Sequence, residues 1–231
     1  MNWLVAAVIV ILGGCALYGR NRGFIKTVFT LFSTIIALSL TMWVSPMISK
    51  EVQKNDKIMS FVTENISKVV KTKEKNKKVS EQINYIDKMS LPKAMKNTLI
   101  ENNNTEMYTA MAVKSFQDYI SASIARVVVN AAVFLIVMLI VFISMAILCE
   151  ALNIISKLPL LNGLNKTAGL FAGLLQGIVI IWIGCIVLTV FSGTKLGQTM
   201  FAMINENLFL SIIYNNNLFL KFITNLGATL F

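Results

Sequence analysis

The stretch Lys157-Leu-Pro-Leu-Leu-Asn-Gly-Leu-Asn-Lys-Thr-Ala-Gly-Leu-Phe-Ala-Gly-Leu-Leu-Gln-Gly177 decides how this chain is read. Pro159 and Gly163 break the preceding helix, Asn165 or Thr167 can cap the next, and Gly169, Gly173 and Gly177 then recur every four residues along one helix face. In a bilayer, apolar side chains gain little by leaving lipid for protein. A ridge of small residues at this spacing instead associates helices by letting their backbones approach closely. Gly184 extends the ridge. Helix packing is the expected role of Gly169, Gly173, Gly177 and Gly184, and lining of a permeation path is the alternative.

The rest of the composition agrees with a bilayer. Of 231 residues, 56% are hydrophobic and 14% charged, more apolar surface than a water-soluble core requires. The formal net charge is +10, but the lysines concentrate between the hydrophobic segments, so the expected partner of that charge is anionic lipid rather than nucleic acid. Cys15, Cys149 and Cys185 lie in or at the ends of apolar runs without paired spacing and read as packed thiols. Leu12-Gly13-Gly14-Cys15 loosely resembles a lipoprotein signal box, yet no Lys or Arg precedes the apolar run, and the stretch reads as an ordinary first span.

In chain order, the expected architecture is an all-α polytopic membrane protein with about four spans in two hairpins. Residues 1–48 form the first hairpin. Its first span runs from Trp3 to Tyr18, Gly19-Arg20-Asn21-Arg22-Gly23-Phe24 is a tight charged turn, and the second span ends near Pro46. Ser33, Ala37 and Thr41 make another small-residue ridge on the second span. Residues 49–123 form a Lys-rich helical extramembrane domain. There Ile58, Phe61, Val62, Ile66, Val69 and Val70 share one helix face, and Lys68, Lys71, Lys73, Lys75, Lys77 and Lys78 cluster at its end, read either as a solvated surface or as an anionic-lipid contact. Val79, Ile83, Ile86 and Met89 mark a second helix, Ser90-Leu91-Pro92 opens a third, and a fourth carrying Tyr108, Met111, Phe116 and Ile120 runs on into the membrane. Residues 124–191 form the second hairpin, with Asn130 the one strongly polar residue of its first span and Gln176 and Trp182 within its second. Residues 192–231 are an amphipathic tail whose apolar positions include Met200, Met203, Ile204, Leu208, Ile212, Leu218, Phe222, Ile223 and Leu226.

Both hairpin turns must share one side of the membrane. Arg20, Arg22, Lys26, Lys157 and Lys166 mark that side as cytoplasmic, which places both termini and the 49–123 domain outside; Lys50, Lys54, Lys57, Lys114 and Arg126 at the opposite ends argue the other way. The chain has no histidine, no metal-ligand cluster, no P-loop and no nucleophile elbow, so neither an enzyme nor a cofactor is expected. No ionisable residue lies in the middle of a span, which argues against ion-coupled transport.

The order of these motifs carries a resemblance. Gly19-Arg20-Asn21-Arg22-Gly23-Phe24 after a short first span, Pro46 after the second, and Pro159, Asn165, Gly169, Gly173 and Gly177 in sequence resemble the colicin V production protein family, in the form with a long central loop. The similarity extends to Ser90-Leu91-Pro92 and to the tail Ser211-Ile212-Ile213-Tyr214-Asn215-Asn216-Asn217. Relatives carry an Asp a few residues into the first span where this chain has Val5. The resemblance implies a multi-pass protein of the bacterial plasma membrane, associated with bacteriocin production or export and envelope maintenance. Its expected partners are the bilayer and another membrane protein or a second copy. On this reading the chain is an accessory or scaffold; the alternative is a small passive channel built on the glycine-lined helices.

Overall fold

The computed structural model describes residues 2–70, 79–151 and 164–229. Among these the chain is all helix: α1 (Trp3–Arg22), α2 (Phe24–Gln53), α3 (Asp56–Val69), α4 (Val79–Lys88), α5 (Lys93–Glu101), α6 (Thr105–Ala110), α7 (Phe116–Ala151), α8 (Leu164–Val190), α9 (Lys195–Asn205), α10 (Leu208–Asn215) and α11 (Leu218–Thr229). Four stretches are long and apolar enough to cross a membrane: Trp3–Arg22, Phe24–Gln53, Phe116–Leu148 and Asn165–Val190. The fold is therefore that of an all-α polytopic membrane protein. Its helices group into two units, Met1–Val44 with Leu135–Gly184 and Ser45–Phe134 with Cys185–Phe231.

In the first unit, α1 opens on Asn2, whose side chain accepts the Leu4 amide at 3.1 Å. Helix α1 continues through Gly19, Arg20, Asn21 and Arg22, so the expected six-residue turn contracts to Gly23, at φ 87°. The Arg22 charge is accommodated on the helix by local partners: it donates to Thr30 Oγ1 at 3.1 Å and lies over the Tyr18 ring, while Arg20 is exposed. In α2, Thr27, Thr30, Ser33, Thr34 and Thr41 each donate to the carbonyl four residues back. That closes hydroxyls that lipid could not solvate.

Pro46 lies inside α2 and does not end it. A proline removes one backbone hydrogen bond, but Ser45 and Ser49 beside it are 2% and 1% exposed, so the packing of this segment within the second unit carries the helix on to Gln53.

The second unit holds the helical insertion and the tail. Ile66, Val70 and Ile86 are buried as the apolar spacing requires, whereas Ile58 and Phe61 are 40% and 69% exposed, so only the C-terminal half of the α3 face meets the core. The Gln117 side-chain amide donates to the Val70 carbonyl, Tyr85 stands edge-on to Phe116, and Tyr119 stacks on Tyr108 while donating to the Leu99 carbonyl at 2.8 Å. Pro92 occupies the residue before α5 and contributes no side-chain cap. The helix expected to run from Tyr108 into the membrane is two helices, divided where Ala112 takes φ 53°.

Each Asn-rich interruption in the tail turns out to contain a cap. Asn207 accepts from the Leu210 amide at 3.1 Å, and Asn217 accepts from the Phe219 and Leu220 amides at 3.0 and 3.1 Å. Phe201, Ile204, Leu210, Tyr214, Leu220 and Ile223 are buried, but Leu208, Ile212 and Leu218 are 77%, 53% and 59% exposed. A period counted across Asn207 loses phase there, because the cap restarts the helix in a new direction. Asn217 is fully buried, so Asn217→Ala is expected to cost about 1–2 kcal/mol, and exposed Asn216→Ala under about 0.5 kcal/mol, read as unfolding midpoints in detergent.

Candidate functional site

The glycine ridge meets α1. A Cβ added to Gly173 would overlap the Cys15 carbonyl oxygen and stand 3.1 Å from Ala16 Cα. One added to Gly169 would overlap the Gly19 carbonyl oxygen and stand 3.0 Å from Phe24 N, and one added to Gly19 would overlap the Gly169 carbonyl oxygen. Further along, a Cβ on Gly177 would stand 3.2 Å from Cys15 Cβ. Two backbones are thus in contact through reciprocal glycines, with Leu12, Cys15, Ala16 and Gly19 on the α1 side. The contact ends at Gly177: a Cβ on Gly184 would meet nothing within 4 Å, so Gly184 does not extend the seam.

Asn165 closes the end of this seam. Its Oδ1 accepts the Ile25 amide at 3.3 Å, and a Cβ on Gly23 would stand 2.5 Å from its Nδ2. The α1–α2 connection and the start of α8 therefore lie at one end of the unit. Of the motif residues around it, Arg20 and Phe24 are exposed, and Pro159 lies outside the described residues. On α2, Ala37 and Thr41 are fully buried, while Ser33 lines an open groove of about 170 Å³ with Phe29, Thr30, Thr34, Phe142, Met145 and Ala146.

In the second unit, Asn130 is 2% exposed and acts as a polar clamp. Its Oδ1 accepts from Ser49 Oγ and from Gln53 Nε2, and its Nδ2 donates to the Ile223 carbonyl at 3.5 Å. One amide thereby ties together the end of α2, the middle of α7 and α11, with its donor and acceptor both in use. Lys68 pairs at 2.8 Å with Glu64, both largely exposed, and this neighbour holds the Glu64 carboxyl below its usual range. Such a pair contributes little to stability. Lys71, Lys73, Lys75, Lys77 and Lys78 lie outside the described residues.

Some of these partners were visible in the sequence only as something else. Ala16, Gly19 and Gly23 recur at three- and four-residue spacing, the pattern of a seam partner, but the two charges beside Gly19 give the stretch the look of a turn. Ser49 and Gln53 carry no pattern at all. They lie past a proline in a stretch whose composition has already turned polar.

Four apolar helices of spanning length, a backbone-close helix seam and a buried amide clamp define a multi-pass helical membrane protein. The model of the colicin V production protein family matches residues 107–223, just over half of the chain, and the chain belongs to that family. The matched range takes in Asn130, Asn165 and Gly169 to Gly177, whereas Gly19 to Phe24 precedes it. No curated protein and no solved structure matches the chain.

The seam gives a graded expectation. Gly173→Ala forces a methyl onto the Cys15 carbonyl and is expected to destabilise by about 2 kcal/mol or more, while Gly184→Ala stays within about 0.5 kcal/mol of wild type. Thermal unfolding of the two variants in detergent checks the order, and equal midpoints would remove the seam as a stabilising contact.

Proposed function

We propose that this chain is an accessory or scaffold protein of the bacterial plasma membrane that serves bacteriocin production or export and envelope maintenance. The observation that carries this reading is the closed seam: the glycine face from Gly169 to Gly177, which could have bordered a path, is filled by α1 and its cap, from Leu12 to Gly23. The other polar feature of a span, Asn130, has its amide engaged by Ser49, Gln53 and Ile223. What these helices offer outward is apolar side chain, such as Val10 at 72% and Trp43 at 73% exposed, which suits lipid and partner helices. The sequence carries no nucleotide-binding motif, so on this reading the power for export comes from a partner.

Two measurements address it. Vesicles reconstituted with the folded chain should pass small solutes no faster than protein-free vesicles, and a photo-reactive residue at Val10 should cross-link a specific membrane protein or a second copy in cells. Solute flux that Gly173→Ala alters, without a cross-linked partner, would instead establish the passive channel.

The side of the membrane is a separate reading, with both termini and residues 49–123 outside. In a chain with Cys15, Cys149 and Cys185 replaced, Ser80→Cys at an exposed position of α4 should react with an impermeant thiol reagent on intact cells. Reaction only after lysis would reverse the orientation.

A further inference from the structure

Within the second unit, an open-mouthed cavity of about 450 Å³ is lined by residues of α3, α4, α7 and α9 and of the segments that follow α3, α4 and α8. Its floor is apolar, formed by Val69, Val70, Leu91 and Ile124, and its polar groups converge from separate parts of the chain: Lys88, Ser90, Ser192 and Gln198, with Tyr85 beside them. A volume of this size is in the range of small-molecule sites, and a few convergent polar groups over an apolar floor are what such sites use.

Three features specify the ligand. Ser192, a residue 2% exposed, lines the cavity, and its buried Oγ has no hydrogen-bond partner among the described residues, so a donor with nothing to donate to lies just beneath the cavity wall, one side-chain rotation from a ligand. Leaving such a group unsatisfied is costly, and a bound acceptor would satisfy it. Among the described residues Lys88 enters no salt bridge and no carboxylate lines the cavity, so its field favours an anion. Burial pushes the Tyr85 phenol above its usual range, so it remains protonated at neutral pH. One point charge surrounded by several hydroxyl and amide donors suits a multi-oxygen anion better than a flat carboxylate, whose natural partner is the arginine fork.

The level of the cavity supplies the rest. Helix α7 has 36 residues, about 54 Å at 1.5 Å per residue, against a hydrocarbon core of about 30 Å, so its opening turns stand outside the core. Ile124 is in those turns, two residues before Arg126, and Ser192 follows the end of α8 at Val190 by two residues. The cavity therefore sits where headgroups lie, with its apolar floor available to a chain.

We propose that this cavity binds a phosphate-type anion at the membrane boundary, with Lys88, Ser90, Ser192 and Gln198 contacting the phosphate oxygens and Val69, Val70, Leu91 and Ile124 receiving an attached acyl chain. Lys68 does not line this cavity, and the proposal does not depend on the scaffold reading.

The test uses the full chain in neutral detergent, with dioleoyl phosphatidic acid, dioleoyl phosphatidylcholine and inorganic phosphate as probes. Binding is read by native mass spectrometry and calorimetry. Phosphatidic acid is expected to bind about tenfold or more tighter than phosphatidylcholine, Lys88→Gln to lose about tenfold, and Lys88→Arg to stay within about threefold. Lys54→Gln, which removes an exposed lysine elsewhere, should change nothing. Ser192→Ala gives a signature that misfolding would not: it removes an unsatisfied buried hydroxyl and should raise the unfolding midpoint of the ligand-free protein while weakening phosphatidic acid. If inorganic phosphate competes at millimolar concentration, the free anion is a ligand of the site; if only the lipid binds, the acyl chain is part of recognition. Absence of phosphatidic acid and phosphate binding, or binding that both Lys88→Gln and Ser192→Ala leave unchanged, would overturn the proposal.

Discussion

The first unit depends on backbone contact between α1 and α8. In lipid there is no hydrophobic drive to press two apolar helices together, so proximity has to come from shape, and shape at this distance is set by the absence of Cβ atoms. Gly19, Gly169 and Gly173 are mutually obligatory in that sense: each occupies space that a methyl on the other helix would need. Gly23 follows from the same constraint. The chain passes from α1 to α2 through this one residue, packed against Gly169 and the Asn165 side chain, and a φ of 87° is a conformation glycine adopts without steric cost.

The second constraint is polar satisfaction, and it is handled differently in the two units. Along α2 in the first unit, hydroxyls fold back onto their own helix, which needs no partner and leaves the outer surface apolar. In the second unit polar groups bind across helices: Asn130 to Ser49, Gln53 and Ile223, Tyr119 to Leu99, Gln117 to Val70. Cross-helix bonds fix relative position as well as stability. Local bonds only make the helix tolerable in lipid.

How much of this could be read from the sequence follows from the range of each signal. Hydrophobic length and the four-residue glycine spacing are local, and they located the spans and the α8 face of the seam. Asn130 was conspicuous because an amide within an apolar run needs partners. The partners themselves were not legible, since Ser49 and Gln53 come from a segment 77 to 81 residues away. Boundaries failed where a strong local rule met a tertiary contact: Pro46 suggested an end, but the buried neighbours Ser45 and Ser49 keep the helix going. In the tail the asparagines were seen as interruptions when their side chains are the devices that start α10 and α11.

The contrast between the two units bears on where this protein can do work. A helix pair in backbone contact has no room to admit a ligand, and a span whose hydroxyls donate to their own helix carbonyls presents few free polar groups to lipid. The second unit instead holds the cavity lined from the segment after α8 and the start of α7. There, Ser192 has no acceptor among the described residues and lines a wall shared with Lys88 and Gln198. Ser45, Ser121 and Tyr214 also bury hydroxyls without a partner among the described residues, and what sets Ser192 apart is that it lines the cavity that holds Lys88 and Gln198, where the proposed ligand would complete it. On the proposed reading the work divides accordingly: the spans hold position, and the cavity of the second unit does the recognising.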